Sequence, residues 1–161
     1  FTGHRPGTLQ EYDCITWLRD TLLEVVASQP ADIYRSGGAV GTDQIAAQVV
    51  IDLGLNLHLI EPFSWPQFAL KWSKDQKTTY EQLRVRAAKV CTPYEGGYAI
   101  WKYHARDAWM VKEGPADLLI AVWDGRTSGG TFSTVQSARK AGVPILILDP
   151  KERTIGNDHY L

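Results

Sequence analysis

The chain has 161 residues, of which 44% are hydrophobic and 22% charged, and 17 basic residues nearly balance 18 acidic residues. This length and composition predict a single globular domain over residues 1–161 and exclude a largely disordered chain. The formal charge of −1 argues against nucleic acid as a partner, because a basic field drives such binding. The apolar runs are far shorter than the roughly 18 to 20 residues of a membrane span. We therefore expect a cytoplasmic protein without a membrane partner.

Cysteine and histidine give no sign of a metal site. Cys14 and Cys91 lie far apart, and the histidines are scattered without an HxxxH pair. A disulfide framework and a zinc site are therefore not expected. We expect that no cofactor is required. The sequence leaves open whether the chain forms a homo-oligomer.

Helical and strand-like segments alternate along the chain. Phe1-Thr2 is predicted to be the truncated end of a first strand. The predicted helices are Leu9 to Ser28, Thr42 to Leu53, Lys77 to Ala88, Tyr98 to Lys112 and Thr131 to Ala141. The predicted strands are Asp32 to Ser36, Asn56 to Ile60, Val90-Cys91, Asp117 to Trp123 and Val143 to Leu148. Apolar strands alternating with helices predict a Rossmann-like α/β fold, an open, mainly parallel sheet with helices on both faces. The polar tail, 151–161, is predicted to dock loosely.

Ligands of open parallel sheets bind beyond the carboxyl ends of the strands, where three loops here have unusual chemistry. The first loop follows the first strand and contains Gly3, His4 and Arg5. Its glycine allows close backbone approach, and its basic side chains offer donors to a phosphate or carboxylate. A simple turn with solvated side chains is the alternative.

The second loop, 36–43, lies between a strand and a helix. It presents backbone N–H groups and the positive end of a helix dipole to an anion, but it is neither a Walker A nor a GxGxxG sequence. Asp43 could instead only complement the helix start. The candidate ligand-binding residues of this loop are Ser36, Gly37, Gly38, Gly41 and Asp43.

The third loop follows the most apolar strand and opens the last predicted helix. It is a second candidate anion-binding loop, and two such loops in one small domain favour a ligand over two ordinary turns. Its candidate ligand-binding residues are Asp124, Ser128, Gly129, Gly130, Thr131 and Thr134.

Two further features concern the predicted helix Tyr98 to Lys112 and the aromatic stretch before it. Arg106 lies opposite the stripe formed by Trp101 and Trp109, as either a site residue or a surface arginine paired with a carboxylate. Trp65 and Trp72 could stack on a base, although core packing is the commoner role of such residues.

These segments resemble the SLOG superfamily and, within it, the YpsA-like group. The resemblance rests on Phe-Thr-Gly-His-Arg-Pro at 1–6, Ser-Gly-Gly-Ala-x-Gly-x-Asp at 36–43 and Trp-Asp-Gly-x-x-Ser-Gly-Gly-Thr at 123–131. Pro62-Phe63 followed by Gln67 and Trp72, and Arg106 followed by Met110-Val111, extend it. It covers about residues 1–148 and implies a Rossmann-like fold.

The superfamily contains proteins thought to bind or sense nucleotide-derived ligands, the DNA-binding DprA proteins and the LOG phosphoribohydrolases. The LOG resemblance implies that Arg106 and Gln136 occupy the catalytic positions, where Gln136 replaces a glutamate. A neutral amide cannot exchange a proton near pH 7, so the hydrolytic group is missing.

The leading prediction is therefore a binder of ADP-ribose, NAD or a related phosphate-containing ligand. Its phosphate would lie at Gly129 to Thr131, with Gly37, Gly38 and Gly41 below the ribose-phosphate and Arg5 or Arg106 supplying countercharge. The alternatives are an enzyme that cleaves an N-glycosidic bond of a nucleotide, and a DprA-like protein that binds single-stranded DNA.

Overall fold

The computed structural model describes residues 1–112 and 116–158 and has the predicted Rossmann-like α/β architecture. The strands are β1 Thr2–Gly3, β2 Tyr34–Ser36, β3 Leu57–Ile60, β4 Lys89–Cys91, β5 Leu119–Val122, β6 Ile145–Asp149 and β7 Thr154–Asn157. The helices are α1 Pro6–Glu11, α2 Ile15–Ser28, α3 Thr42–Asp52, α4 Trp65–Phe68, α5 Lys74–Arg86, α6 Trp101–Lys112 and α7 Gly130–Ala141. Among these described residues, no helix has both the length and the apolar character of a membrane span.

The strands pair in the orders β1-β5-β6-β7 and β2-β3-β4. Every pairing is parallel except that of β6 with β7. The Phe1 nitrogen donates to the carbonyl oxygen of Arg35 at 2.8 Å, which links the two groups of strands. Gly3 pairs with Val122, and Ser36 pairs with Leu59, so the carboxyl ends of four strands lie at one edge.

The core lies on both faces of the strands because the parallel strands are apolar on both sides. The larger cluster packs α2 and α3 against β2 and β3, with Leu18, Leu22, Val49 and Leu59 all fully buried. A smaller cluster packs α7 against β5 and β6. The short strands are therefore held by covering helices, and their carboxyl ends stay free to carry a site.

The predicted helix Leu9 to Ser28 is wrong in one respect, because the chain breaks it into α1 and α2. Asp13 adopts a φ of 45°, and the Cys14 nitrogen donates to the Leu9 carbonyl oxygen at 3.2 Å. This closes α1 in the manner of a left-handed helix cap. Leu9 and Cys14 are both buried, so the apolar spacing continues across the break and hides it in the sequence.

α5 begins earlier than the predicted Lys77. The Ser73 hydroxyl accepts from the Gln76 nitrogen at 3.2 Å, and the Gln76 side chain accepts from the Ser73 nitrogen at 3.0 Å. This reciprocal pair is a capping box, which fixes the start of a helix. A serine followed three residues later by a glutamine indicates a helix start, and the prediction from apolar spacing alone did not take it into account.

The prediction of a loosely docked tail is also wrong for residues 154–157. These residues form β7, which pairs antiparallel with β6 through Leu148 and Ile155. Arg139 of α7 then forms an ion pair with Asp158 at 2.7 Å, which fixes the chain beyond the strand. Residues 159–161 of the predicted tail lie outside the described residues.

Candidate functional site

His4 joins the three loops that the sequence singled out. Its carbonyl oxygen accepts hydrogen bonds from the Thr42 nitrogen and hydroxyl, both at 3.1 Å. Its Nε2 accepts from the backbone nitrogen of Asp124 at 3.2 Å. The loops after β1, β2 and β5 therefore meet at one place, as the parallel sheet predicts, and buried His4 is the contact between them.

The start of α3 is filled by groups of the protein itself. The Ala39 nitrogen donates to Oδ2 of Asp43 at 3.3 Å, and the Ser36 hydroxyl donates to the carbonyl oxygen of Asp43 at 2.7 Å. The Gly38 nitrogen donates to the Ser36 hydroxyl at 3.2 Å. The carboxylate of Asp43 therefore satisfies one N–H group of this loop that an external anion would otherwise bind.

The glycines of the first two loops lie against protein atoms. Gly41 has a φ of 111°, a conformation that L-residues rarely adopt, and its α-carbon faces the His4 carbonyl. The other glycines provide close approach: a Cβ would overlap Thr42 at Gly3, Arg106 at Gly37 and Tyr80 at Gly38. Packing alone therefore accounts for glycine at these positions, and their contact with a ligand stays a prediction.

The start of α7 is open, unlike that of α3. Gly129 and Gly130 are exposed, and a Cβ built on Gly129 would meet no atom within 4 Å. The first backbone bond of the helix runs from the Ser133 nitrogen to the Gly129 oxygen at 3.1 Å. In the part of the chain that the structure describes, no side chain caps this start. We call residues 124–131 the α7 loop; its exposed glycines, Gly129 and Gly130, lie at the positive end of the helix dipole.

The two threonines at the start of α7 differ from the glycines because both are buried. The Thr134 hydroxyl donates to the Gly130 carbonyl oxygen at 3.0 Å, so it is used within the helix. Thr131 opens the helix beside the exposed glycines, and Ser128 is exposed. Of the residues predicted from this loop, Ser128, Gly129 and Gly130 are the accessible ones.

Arg106 is buried and holds three parts of the site together. Its Nε donates to Asp107 at 2.7 Å, and its Nη1 donates to the carbonyl oxygens of Gly37 and Ile60. Burial raises the pKa of Asp43, and the nearby Arg106 guanidinium opposes that rise. The arginine thus connects α6 with the ends of β2 and β3, where its charge offsets buried carboxylates.

Gln136 lies in the second turn of α7 and is half-buried. It is six residues after Gly130, or about 9 Å along the helix and about 120° around it at ideal helix geometry. The hydrogen bonds of Arg106 go to Asp107, Gly37 and Ile60, not to Gln136. The structure therefore does not place these two predicted catalytic residues in a hydrogen-bonded pair.

Asp124 is tied to Arg126 and Tyr12, which the sequence did not single out. The Tyr12 hydroxyl donates to Asp124 at 2.8 Å, and Arg126 binds both carboxylate oxygens. Burial of the Asp124 carboxyl favours a higher pKa, but hydrogen bonds from Arg126 and Tyr12 outweigh burial and hold the pKa well below its usual range. Asp124 is therefore a paired anion that fixes the first part of the α7 loop.

Burial of His4 favours the neutral form of its imidazole. Burial lowers the pKa of its imidazole below the usual 6.5, although Asp124 opposes that change. The Nε2 atom accepts the Asp124 N–H, and protonation of that atom would remove the acceptor. Oδ1 of Asp124 lies 3.2 Å from the same nitrogen, so protonated His4 would exchange the backbone hydrogen bond for an ion pair with Asp124.

We expect acid to destabilise the fold through His4. As the pH falls below about 6.5, the unfolded chain gains a proton before folded His4 does, so the free energy of unfolding decreases until the lowered pKa is reached. His4→Gln removes this titration and should flatten the curve measured by urea unfolding between pH 5 and 7.

His104→Gln is the matched control, since His104 is exposed on α6. The control should leave most of the pH dependence in place. Equal slopes for the native chain and His4→Gln would contradict the assignment to His4.

The aromatic residues divide between the core and the rim of the site. Trp65 and Trp72 pack on Tyr80, with ring centroids 5.5 and 5.3 Å apart, which is the core role weighed against base stacking. Tyr98 is 66% exposed beside the site, and half-buried Tyr103 lies on α6. Neither tyrosine was predicted from the sequence to be a site residue.

A cavity of about 710 Å³ lies at the opposite end of the sheet. Phe1, Tyr34 and Leu119, which begin or precede β1, β2 and β5, line it. Ligands of this fold class bind at the carboxyl ends of the strands, whereas of the predicted site residues Thr134 lines this cavity.

The order of these loops can be compared with known proteins. A sequence model described as the YspA SLOG family matches residues 2–151, which is nearly the whole chain. The chain belongs to this SLOG family. The resemblance expected from the loop sequences is thereby confirmed. Among the curated proteins, none matches the chain.

Two solved structures of DNA processing protein A have the same fold as this SLOG domain. The protein from Helicobacter pylori, whose structure is described for its single-stranded DNA binding mode, is 18% identical with a TM-score of 0.57. The protein from Streptococcus pneumoniae is 14% identical with a TM-score of 0.61. Each match covers 92% of this chain, but 64% and 49% of those proteins, respectively. At these identities the likeness establishes the fold alone.

Proposed function

We propose that this SLOG domain binds a nucleotide-derived small molecule, such as ADP-ribose or NAD, with a phosphate at the start of α7. The observation that carries the proposal is the contrast between the two glycine-rich helix starts. Neither start has a side-chain cap within the described residues, but at α3 the Thr42 nitrogen donates to the His4 carbonyl oxygen and Asp43 accepts from the preceding loop. At α7 the glycines that begin the helix are exposed. A phosphate there would accept backbone N–H bonds and meet the positive end of a helix dipole.

Arg5 is the countercharge in this proposal. It is exposed at the end of β1, next to the residue that contacts the α7 loop. Arg106 is buried among carbonyl and carboxylate partners, so its role is to hold the loops in place. The Asp107 carboxylate near Gly130 is ion-paired with Arg106 through Oδ1, which offsets its charge beside the phosphate.

The alternatives have less support from the described residues. Single-stranded DNA binding is suggested by the fold of the DNA processing proteins, but the charge balance of −1 gives no basic field. Hydrolysis of an N-glycosidic bond would need a carboxylate where Gln136 stands. The proposal itself requires no cofactor, and the free thiols of Cys14 and Cys91 support a cytoplasmic setting.

We expect ADP-ribose or NAD to raise the melting temperature of the protein. At a ligand concentration near 100 times Kd the stabilisation is about 2.7 kcal/mol, which corresponds to very roughly 5 to 10 °C for a domain of this size. A thermal-shift panel of ADP-ribose, NAD, AMP and an oligothymidylate measures it. The absence of any shift at millimolar nucleotide would refute the proposal, and a shift with the oligothymidylate alone would favour DNA.

A further inference from the structure

The loop before α6 is fixed although much of it is exposed. The Nζ of buried Lys102 donates to the carbonyl oxygens of Glu95 and Gly97 at 2.6 and 2.7 Å. The Gln67 side chain accepts from the Tyr98 nitrogen at 2.8 Å. Ordering a loop costs conformational entropy, and here a buried ammonium and a side-chain amide offset that cost. These hydrogen bonds therefore fix the backbone that carries Tyr98.

The ring of Tyr98 is held on one side and open on the other. It contacts fully buried Phe63 with centroids 5.5 Å apart and planes at 74°. Phe63 also contacts the ring of Tyr103 at 5.3 Å. Since Tyr98 nevertheless keeps 66% of its surface exposed, most of an ordered aromatic ring is available to a ligand.

Two lines of contact connect this ring with the start of α7. Tyr103 lies one helical turn before Asp107, whose Oδ2 comes 3.8 Å from the position of a Cβ on Gly130. Arg5, which adjoins the α7 loop through His4, also acts electrostatically on the Tyr103 hydroxyl. Tyr98 is therefore linked to the start of α7 through Phe63, Tyr103 and the α6 turn that ends at Asp107.

We infer that Tyr98 is a base-stacking residue for the nucleotide whose phosphate binds at the start of α7. This inference rests on the proposed function. It assigns a contact to the base, which the phosphate site does not recognise. An aromatic ring stacks on any nucleobase, because every base has a π-face, and tyrosine brings a large apolar surface at a small entropic cost. Tyr103 and Arg5 would flank the ribose-phosphate between the two ends.

Calorimetric titration of the full chain with ADP-ribose tests this role, using Tyr98→Phe and Tyr98→Leu. Phenylalanine keeps the aromatic ring, so its Kd should stay within about twofold of the native value. Leucine keeps an apolar contact with Phe63 but cannot stack, so Kd should rise about 5- to 100-fold. Ile100→Ala is the control, since Ile100 is 70% exposed in the same loop and is not aromatic; its Kd should be unchanged.

The outcomes separate this inference from the proposed function. If the native chain does not bind ADP-ribose, the proposed function fails and the inference fails with it. If the native chain and Tyr98→Leu bind ADP-ribose equally, only the stacking role is overturned. Equal losses in Tyr98→Leu and Ile100→Ala would indicate a general disturbance of the loop and would also overturn it. A parallel titration uses an oligothymidylate. If Tyr98→Leu loses binding to the oligothymidylate and not to ADP-ribose, the ring is assigned to nucleic acid and the inference is overturned.

Discussion

Gly130→Asp should weaken ADP-ribose binding about 10- to 100-fold, since hydrogen bonds to a charged group contribute about 1.5 to 3 kcal/mol and the new carboxylate repels the phosphate that accepts them. The added side chain would stand beside Asp107, whose oxygen is 3.8 Å from the new Cβ. An aspartate in the first turn of a helix also interacts favourably with the dipole, so the fold should be retained. Calorimetry measures the affinity, and urea unfolding measures the stability.

Gly156→Asp is the matched control for this change. Gly156 lies in β7, is exposed, and has no atom within 4 Å of a built Cβ. The control adds the same charge away from the α7 loop and should leave the affinity unchanged. Native affinity in Gly130→Asp would place the phosphate elsewhere on the molecule.

Arg106→Ala should lower the free energy of unfolding by about 3 to 5 kcal/mol, the usual cost of removing one partner of a buried ion pair. The substitution leaves Asp107 without its 2.7 Å partner and deprives the carbonyl oxygens of Gly37 and Ile60 of a donor. Because small domains are stable by only about 5 to 15 kcal/mol, this is a large fraction of the total. Urea unfolding at pH 7 measures the loss.

Arg19→Ala provides the comparison for a surface arginine. Arg19 is 54% exposed and lies 3.4 Å from Asp52, so the loss should be below about 1 kcal/mol. If both variants lost equal stability, Arg106 would not be the structural centre of the site.

The fold was predictable because the strands and helices differ in their apolar patterns. The continuous apolar runs of β5 and β6 indicated parallel strands covered on both faces, as the structure has them. Helix breaks and caps were missed where the apolar pattern continued across them. The turn at Asp13 divides one amphipathic pattern into two helices, and the capping box at Ser73 precedes the apolar residues of α5.

The meeting of the loops was predictable for the same reason, since carboxyl ends of parallel strands share an edge. The groups that fill each loop were not predictable, because they depend on contacts between residues that are distant in sequence. The start of α3 is closed by the carbonyl oxygen of His4, and Arg106 reaches back to Gly37. Neither contact leaves a local sequence signal. The position of Tyr98 likewise depends on Gln67 and Phe63.

The antiparallel strand β7 has a consequence for how copies of this domain meet. β6 is an apolar segment of β-forming residues, Ile-Leu-Ile-Leu, and its outer backbone groups would otherwise form an open edge that recruits strands from other chains. β7 occupies that edge, and it contains Gly156 and Asn157, which are poor strand formers. With four exposed residues and little β-propensity, it gives a further chain only a weak template for pairing. Removing residues 154–158 would therefore be expected to show first as aggregation, before any loss at the α7 loop.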